Sequence, residues 1–345
     1  MKKITLEQAR VVHDRLLVFD GHNDTPVERV ARGEAPFGWL QRDLAYHMDV
    51  PRMREGGFDG GFFIVGNGVI ANVWVTTQRT LAQIEAHPDI FRLVLHSSDV
   101  DAARAAGQIS VLITVEGAGR WLEGSVDTLH LLHRLGLRAL GITHGEGGAE
   151  ATMLQGSRSE FGPCSLAERE SARRDLAGLT DFGRDVLRVS NDLGIVTDLS
   201  HINDKAFYEV LELSRLPVTM THTAAFGVCP HWRCLTDDQI RALAAAGGVL
   251  GIAFAPMFID AVAPTIERLV DHVAYVAELV GVDHVGIGSD YDGLGANDVP
   301  VVPDVSRLPE LTQALLARGF TEEEVGRIWS GNFMRLLRAT IDTAA

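Results

Sequence analysis

Short apolar runs alternate with longer amphipathic segments along the whole chain. Eight of the apolar runs are nearly continuous, as expected of parallel strands that helices cover on both faces. They comprise residues 17–20, 61–65, 111–115, 138–143, 195–199, 218–221, 249–254 and 284–288. Eight strands separated by helical segments predict an α/β fold, a (β/α)8 barrel of the TIM type. An open, doubly wound sheet is the alternative that this periodicity leaves open.

The amphipathic segments between the runs have the period of helices. They include residues 127–135, 180–193, 204–214, 236–246 and 265–280. No linker, repeat or low-complexity tract divides the chain, so we expect a single domain over residues 1–345. Three long polar connections, 25–57, 145–178 and 294–309, each follow a predicted strand. Such strand-to-helix loops form the face of a barrel on which active sites lie.

Composition and charge exclude some classes of partner. The chain has 46 acidic and 31 basic residues, a net charge of -15, and no basic patch of the kind that binds nucleic acid. No run reaches the roughly 18 apolar residues that span a bilayer, and the N-terminus lacks the apolar stretch of a signal peptide. Cys164, Cys229 and Cys234 do not form a disulfide framework. These features predict a cytoplasmic protein that binds neither nucleic acid nor membranes.

Ligand-type side chains follow six of the eight predicted strands. They are His22 and Asp24, Glu116, His144, His201, His222 and Asp290. The carboxyl ends of barrel strands meet on one face, so these side chains should converge although they are spread along most of the sequence. Imidazole and carboxylate groups are the ligands that suit zinc and similar ions. The strand ends therefore predict a metal centre.

The spacing of these residues suggests how they divide between ions. His22 and Asp24 lie two residues apart on an extended segment, which places both side chains on one face within reach of one ion. His201 and His222 end adjacent strands and would form a second pair. Glu116 could bridge two ions through its two oxygens. A structural, hydrogen-bonded histidine is the alternative at each single position, but five ligand-type residues on one rim favour metal binding.

Lysine usage narrows the choice of a bridging group. Many barrel amidohydrolases bridge two metals with a carboxylated lysine at a strand end. The lysines of this chain are Lys2 and Lys3 at the N-terminus and Lys205 at the start of a predicted helix. A glutamate is therefore the bridging group that we expect.

Taken together, these stretches resemble the membrane (renal) dipeptidase family of binuclear zinc peptidases, which have amidohydrolase-like barrels. The matching segments run in order along nearly the whole chain. They are Asp20-Gly-His-Asn-Asp24, Thr114-Val-Glu-Gly117, Leu179-Thr-Asp-Phe-Gly183, Asp198-Leu-Ser-His201, Thr221-His-Thr223, His231-Trp-Arg233 with Asp237-Asp238, Gly286-Ile-Gly-Ser-Asp-Tyr-Asp-Gly293 and Gly331-Asn-Phe-Met-Arg-Leu336.

The resemblance implies a ligand set and a cofactor. Two zinc ions per chain are expected, although other divalent metals are compatible with these ligands. His22 and Asp24 would hold one ion, His201 and His222 the other, and Glu116 would bridge them. A water or hydroxide shared by the ions would be the nucleophile.

The resemblance also assigns three roles around the substrate. His144 would contact the scissile carbonyl oxygen and stabilise the oxyanion. Asp290 would take a proton from the attacking water and pass it to the leaving amine. Arg233 would bind the terminal carboxylate of a dipeptide substrate, and the assembly would be a homodimer or higher homo-oligomer.

Four stretches depart from the family pattern. They are Cys234 after the arginine, Ala253-Phe-Ala-Pro256 on the seventh predicted strand, Gly61-Phe-Phe-Ile64 on the second, and Gly145-Glu-Gly-Gly148 after His144. We interpret all four as changes in the substrate pocket, because none touches a predicted ligand. The sequence thus predicts a dipeptidase, acting on L,L- or L,D-dipeptides, with altered substrate preference. A hydrolase of another small amide or lactam, or a catalytically silent metal-binding relative, are the alternatives.

Overall fold

The barrel is built from parallel strands. The computed structural model describes residues 3–34, 38–67, 73–144, 162–173, 177–295 and 298–343. Within these ranges the strands are β1 (Phe19–Asn23), β2 (Gly60–Ile64), β3 (Phe91–Leu93), β4 (Ile109–Val115), β5 (Leu137–Gly141), β6 (Val196–Asp198), β7 (Thr219–Thr223), β8 (Val249–Ile252) and β9 (Val285–Ile287). Eight of them pair in the order β1-β2-β4-β5-β6-β7-β8-β9, and these coincide with the eight predicted strands.

Backbone hydrogen bonds join the first and last strands at their carboxyl ends. The amide of Asp290 donates to the His22 carbonyl over 3.0 Å, and the amide of Asp24 donates to the Tyr291 carbonyl over 2.8 Å. This contact nearly closes the barrel and brings the segments that carry His22 and Asp290 together. The prediction of a (β/α)8 barrel is confirmed, and the open doubly wound alternative is wrong.

Strand β3 was not among the predicted strands. It pairs with the first residues of β4, from Phe91 opposite Ile109 to Leu93 opposite Val111, and lies off the barrel path. Three residues are too few to display a strand period, and two of them are only half-buried.

Helices cover the outside of the barrel. In the described residues they are α1 (Leu6–His13), α2 (Thr25–Ala31), α3 (Val50–Glu55), α4 (Val73–Ala86), α5 (Ser97–Ala105), α6 (Ala118–Leu122), α7 (Val126–Arg134), α8 (Leu166–Arg173), α9 (Asp181–Asp192), α10 (Asp204–Leu213), α11 (Asp237–Ala245), α12 (Pro256–Ile259), α13 (Ile266–Val280), α14 (Leu308–Arg318), α15 (Glu322–Gly326) and α16 (Asn332–Thr340). None of these helices has the length and apolarity that crossing a membrane requires.

The five predicted helices agree with the structure within one residue at each end. Thr180, for example, precedes α9 and accepts a hydrogen bond from the Gly183 amide, which is the expected N-cap contact. The long connections need correction, because residues 25–57 contain α2 and α3 and residues 145–178 contain α8. Polar composition concealed these helices.

The C-terminal helix, α16, packs against the interior residues of the barrel strands. Phe333 of α16 packs against Phe62 of β2, with ring centroids 5.7 Å apart. A β-carbon on Gly21 would lie 2.5 Å from the Phe333 ring, and one on Gly286 would lie 2.7 Å from it. A side chain at Gly21 would collide with this ring, so packing against Phe333 explains the glycine that precedes His22.

Candidate metal centre

The five predicted ligands meet at the carboxyl-end rim of the barrel. His22 and His222 lie within β1 and β7, Asp24 and Glu116 directly follow β1 and β4, and His201 is three residues beyond β6. All are buried except His201, whose side chain is 15% exposed. The fold thus brings together residues that the sequence keeps far apart.

Two groups of ligand atoms share Glu116. The Nε2 atom of His22 lies 3.2 Å from Oδ2 of Asp24 and 3.9 Å from Oε2 of Glu116. The Nε2 atoms of His201 and His222 face each other at 2.9 Å, and that of His201 is 3.7 Å from Oε2 of Glu116. Oε2 of Glu116 therefore faces one histidine of each predicted pair, whereas Oε1 faces His144.

Two ligand atoms are buried without hydrogen-bond partners among the described residues. They are Nε2 of His22 and Oε2 of Glu116. An unpaired buried polar atom costs about 1–3 kcal/mol, so native proteins rarely retain one without a function. Both atoms point to the centre of the ligand cluster, which fits a site for a divalent cation.

The electrostatics of the cluster favour the binding of a cation. Burial raises the pKa of the Glu116 carboxyl well above its usual range, and it also raises that of Asp290 to about 7. Burial disfavours charge on His22 as well, but Glu116 and Asp24 outweigh it and raise the pKa of that imidazole to about 10. A bound cation would stabilise these carboxylates in the charged form.

His144 and Asp290 lie against the predicted ligands. Nε2 of His144 is 3.4 Å from Oε1 of Glu116, and burial lowers the pKa of this imidazole to about 4. Together with His201 and Glu116 it could itself hold a metal, and Asp290 could do the same with His22 and Asp24. Both residues are therefore within reach of any group that the centre binds.

The backbone is strained at two of these positions. His201 and Asp290 have φ angles of 66° and 62°, in the left-handed region that non-glycine residues avoid. Such conformations cost on the order of 1–3 kcal/mol and are concentrated at functional sites. The strain turns both side chains toward the cluster at the points where their strands end.

A cavity of about 440 Å³ opens above the cluster. Asp24, Glu116, His144, His201, Asp290 and Arg233 line its floor and one side, and Val27, Asn67, Met257, Phe258 and Leu294 are among the other lining residues. Its volume is at the lower end of the range for small-molecule sites. A small ligand would therefore contact Arg233 together with three of the predicted ligands, Asp24, Glu116 and His201.

Arg233 reaches this cavity from the loop after β7. Its guanidinium lies 5.1 Å from the centre of the Phe258 ring and donates to the His222 carbonyl at 3.3 Å. No carboxylate in the described part of the chain lies within ion-pair distance of it. The guanidinium remains available to bind an anionic group in the cavity.

Two aspartates tie the strand ends that carry the ligands. Asp20 accepts hydrogen bonds from the amide and hydroxyl of Ser289, both at 2.7 Å, and so links β1 to the segment that bears Asp290. Asp198 accepts the Thr221 amide at 2.9 Å and the Ser200 amide at 3.0 Å, and so links β6 to β7. Both aspartates therefore orient the backbone of the segments that carry the predicted ligands.

The interpretation of the four departures as pocket changes is wrong where the structure describes them. Cys234 is fully buried, with its sulfur 3.7 Å from the Phe258 carbonyl, and it lies behind the cavity wall. Ala253, Ala255 and Phe62 are likewise buried in the core and are not among the described lining residues. The stretch 145–148 lies outside the described residues.

Sequence reasoning missed Asn67 and Thr221. The Asn67 amide donates to Oδ1 of Asp24 at 3.3 Å, and Thr221 contacts two of the ligand histidines. Asn67 follows β2 by three residues, so the strand-end rule that found the other residues could have found it. Thr221 gives no such signal, because threonine is common in strands.

A nearly closed parallel barrel with histidine and carboxylate side chains on its carboxyl-end rim is typical of metal-dependent hydrolases. The model of the membrane dipeptidase family (peptidase family M19) matches residues 6–345 of the chain. The chain is 30% identical over 348 residues to dipeptidase tcpJ of Claviceps purpurea (strain 20.1). This alignment covers 94% of the chain and 77% of the relative.

Two solved structures give the same result. Dipeptidase AC, a metallo peptidase of family M19, is 32% identical, with a TM-score of 0.81 over 96% of this chain and 99% of that one. A metallo peptidase from Rhodobacter sphaeroides, liganded with a phosphinate mimic of the dipeptide L-Ala-D-Ala, is 29% identical, with a TM-score of 0.81 over 94% and 99%. The chain belongs to the membrane dipeptidase family, and its activity is that of a metallo-dipeptidase.

Proposed function

We propose that this chain hydrolyses dipeptides at a centre of two zinc ions. His22 and Asp24 would hold one ion, His201 and His222 would hold the other, and Glu116 would contribute an oxygen to both. The observation that carries this proposal is the position of Glu116 between the two pairs, with Nε2 of His22 at 3.9 Å and Nε2 of His201 at 3.7 Å from one of its oxygens. The ligand types are those that zinc prefers.

Two residues beside the proposed ions would transfer the proton and stabilise the carbonyl oxygen during hydrolysis. Bound zinc would polarise a water molecule and lower its pKa. Asp290 would accept a proton from the attacking water as a carboxylate and return it to the nitrogen of the leaving amine, which regenerates the carboxylate. His144 donates a hydrogen bond to the scissile carbonyl oxygen as negative charge develops on it.

Arg233 restricts the substrate to dipeptides. Its guanidinium would bind the terminal carboxylate and so hold the scissile peptide bond in the cavity that Glu116 and His201 also line. The cavity of about 440 Å³ suits a small substrate. The Rhodobacter sphaeroides relative was liganded with a mimic of L-Ala-D-Ala, so we include L,D-dipeptides among the substrates of this chain.

We further propose a cytoplasmic location. Cys229 and Cys234 are buried free thiols, which suits a reducing compartment. The single domain over residues 1–345 and the homodimer or higher homo-oligomer stay predictions, which limited proteolysis and light scattering would test.

A dipeptide panel tests the proposed activity. Protein stripped of metal with a chelator should be inactive on L-Ala-L-Ala and L-Ala-D-Ala, and two equivalents of zinc should restore turnover. N-acetylated tripeptides serve as a control, because the chain should not cleave them. Full activity of metal-free protein, or inactivity of zinc-loaded protein on every dipeptide, would contradict the proposal.

A further inference from the structure

The hydroxyl of Thr221 contacts both ligand histidines that lie within strands. Its Oγ1 atom is 3.1 Å from Nδ1 of His22 on β1 and 2.9 Å from Nδ1 of His222 on β7. The same oxygen donates to Oδ2 of Asp198 at 2.6 Å. One buried hydroxyl thus lies behind both of the proposed metal sites.

The Thr221 hydroxyl donates its proton to Asp198. Asp198 accepts on its other oxygen from the amides of Ser200 and Thr221 and from the Ser200 hydroxyl at 2.8 Å. It therefore acts as a carboxylate acceptor, and its Oδ2 takes the Thr221 proton. The Ser200 hydroxyl is also 3.2 Å from Oγ1 of Thr221, but its own proton already goes to Asp198.

With its proton committed to Asp198, the Thr221 oxygen can only accept from the two imidazoles. His22 and His222 must then each carry a hydrogen on Nδ1, so that in the neutral ring Nε2 is the nitrogen offered to a metal. The Nε2 atoms of both rings point into the ligand cluster. That of His22 lies 3.2 Å from Oδ2 of Asp24, and that of His222 lies 2.9 Å from Nε2 of His201.

We propose that Thr221 is a positioning residue for both metal sites, which fixes the tautomer and the ring orientation of His22 and His222 through one hydroxyl. This inference rests on the proposed function, because it takes both histidines to be zinc ligands. Histidine ligands usually have a separate partner for the second ring nitrogen. Here Asp198 and Thr221 serve two rings on different strands, so the two sites should lose affinity together.

Valine replaces the hydroxyl with a methyl group of similar size. In Thr221→Val both imidazoles lose their acceptor, and each can adopt the tautomer that protonates the metal-binding nitrogen. Changes of such outer partners typically weaken metal binding by about 10- to 100-fold. Thr221→Ser keeps the hydroxyl and should restore affinity to within a few fold of the wild type.

A matched control lies two residues earlier on the same strand. Thr219 is fully buried, and its hydroxyl donates to the Val249 carbonyl at 2.8 Å. Thr219→Val removes a buried hydroxyl from β7 without touching either histidine. Any general loosening of the strand would therefore appear in this variant as well.

Zinc titration of metal-free protein in competition with a chromophoric chelator measures both sites. We expect two tight equivalents in the wild type, Thr219→Val and Thr221→Ser, and weakening of both by about 10- to 100-fold in Thr221→Val. In the zinc-loaded wild type, the imidazole N–H protons of His22 and His222 should give exchange-protected NMR signals that Thr221→Val loses.

Three outcomes would overturn the inference. Unchanged affinity at both sites in Thr221→Val would show that the hydroxyl does not position the ligands, and so would an equal loss in Thr219→Val. Weakening of one site alone would refute the shared role. A wild type without two tight zinc equivalents would instead refute the proposed function itself.

Discussion

At the residue scale, Arg233 is the side chain whose proposed role depends most directly on the chemistry of the substrate. Its guanidinium lines the cavity and, among the described residues, has no carboxylate partner. Arg233→Ala should therefore lower kcat/KM for a free dipeptide by on the order of 10- to 100-fold, since a hydrogen bond to a charged group is worth about 1.5–3 kcal/mol. Steady-state kinetics on L-Ala-L-Ala would measure this loss.

The matching dipeptide amide is the control substrate for this variant. It lacks the carboxylate that Arg233 would bind, so the wild type and Arg233→Ala should cleave it at similar, low rates. An equal fractional loss on both substrates would mean that Arg233 acts on the fold of the site. No loss on either would favour the alternative of a small amide or lactam substrate.

The residues that the sequence could predict share one property. His22, Glu116, His201 and His222 have imidazole or carboxylate groups, the types that can bind metals, and each lies at or just beyond the carboxyl end of a strand, which a barrel brings to one rim. Thr221 could not be predicted, because its role depends on two rings and a carboxylate from three different strands. A hydroxyl has no residue-type signal until those neighbours are known.

At the scale of elements, a buried ion pair supports the loop that carries Arg233. Arg169 of α8 forms two hydrogen bonds with Asp204 of α10, at 3.1 and 2.9 Å. The same guanidinium donates to the carbonyls of Trp232 and Cys234, on either side of Arg233. The position of α8 therefore determines the path of this loop.

Arg169→Met should loosen this arrangement. Removal of one partner of a buried pair costs about 3–5 kcal/mol, so urea unfolding should show a large loss of stability, and KM should rise more than kcat falls. Arg188→Met is the control, because its contacts on α9 are exposed and worth less than about 1 kcal/mol. If Arg169→Met is too unstable to assay, Arg169→Lys supplies the kinetic comparison. If Arg169→Met and Arg169→Lys both kept the stability and the KM of the wild type, this account would be contradicted.

Elements were predictable where a period or a cap could be recognised in the sequence. Helix α13 has a long amphipathic run and begins after Thr265, which caps it. Strand β3 and helix α3 are too short to show a period, and tertiary contacts stabilise them instead. Short elements depend on neighbours that the local sequence does not specify.

At the scale of the whole molecule, His13 joins the N-terminal helix to the rest of the fold. Its Nδ1 is 2.7 Å from the Thr312 hydroxyl on α14, and its Nε2 is 2.8 Å from the Gly56 carbonyl after α3. Burial lowers the pKa of this imidazole to about 4, although the Gly56 carbonyl opposes the shift. The folded protein therefore holds His13 neutral.

This contact predicts a pH dependence of stability. An unfolded chain takes up a proton at His13 below about pH 6.5, whereas the folded chain does so only near pH 4, so stability is lost as the pH falls between these values. The loss at pH 4.5 should be about 2 kcal/mol. Urea unfolding with a chelator present would measure the free energy of unfolding at pH 7 and at pH 4.5. The loss between these pH values should be smaller in His13→Gln than in the wild type, because glutamine takes up no proton. An identical loss in both proteins would contradict the assignment.

The central claim is that this barrel holds two zinc ions with Glu116 between them. Anomalous diffraction at the zinc edge from crystals of the zinc-loaded protein would test it most directly. We predict two peaks, one about 2.0–2.2 Å from Nε2 of His22 and an oxygen of Asp24, the other about 2.0–2.1 Å from Nε2 of His201 and His222. Both should lie within bonding distance of Glu116. A single peak, or peaks away from these side chains, would contradict the account.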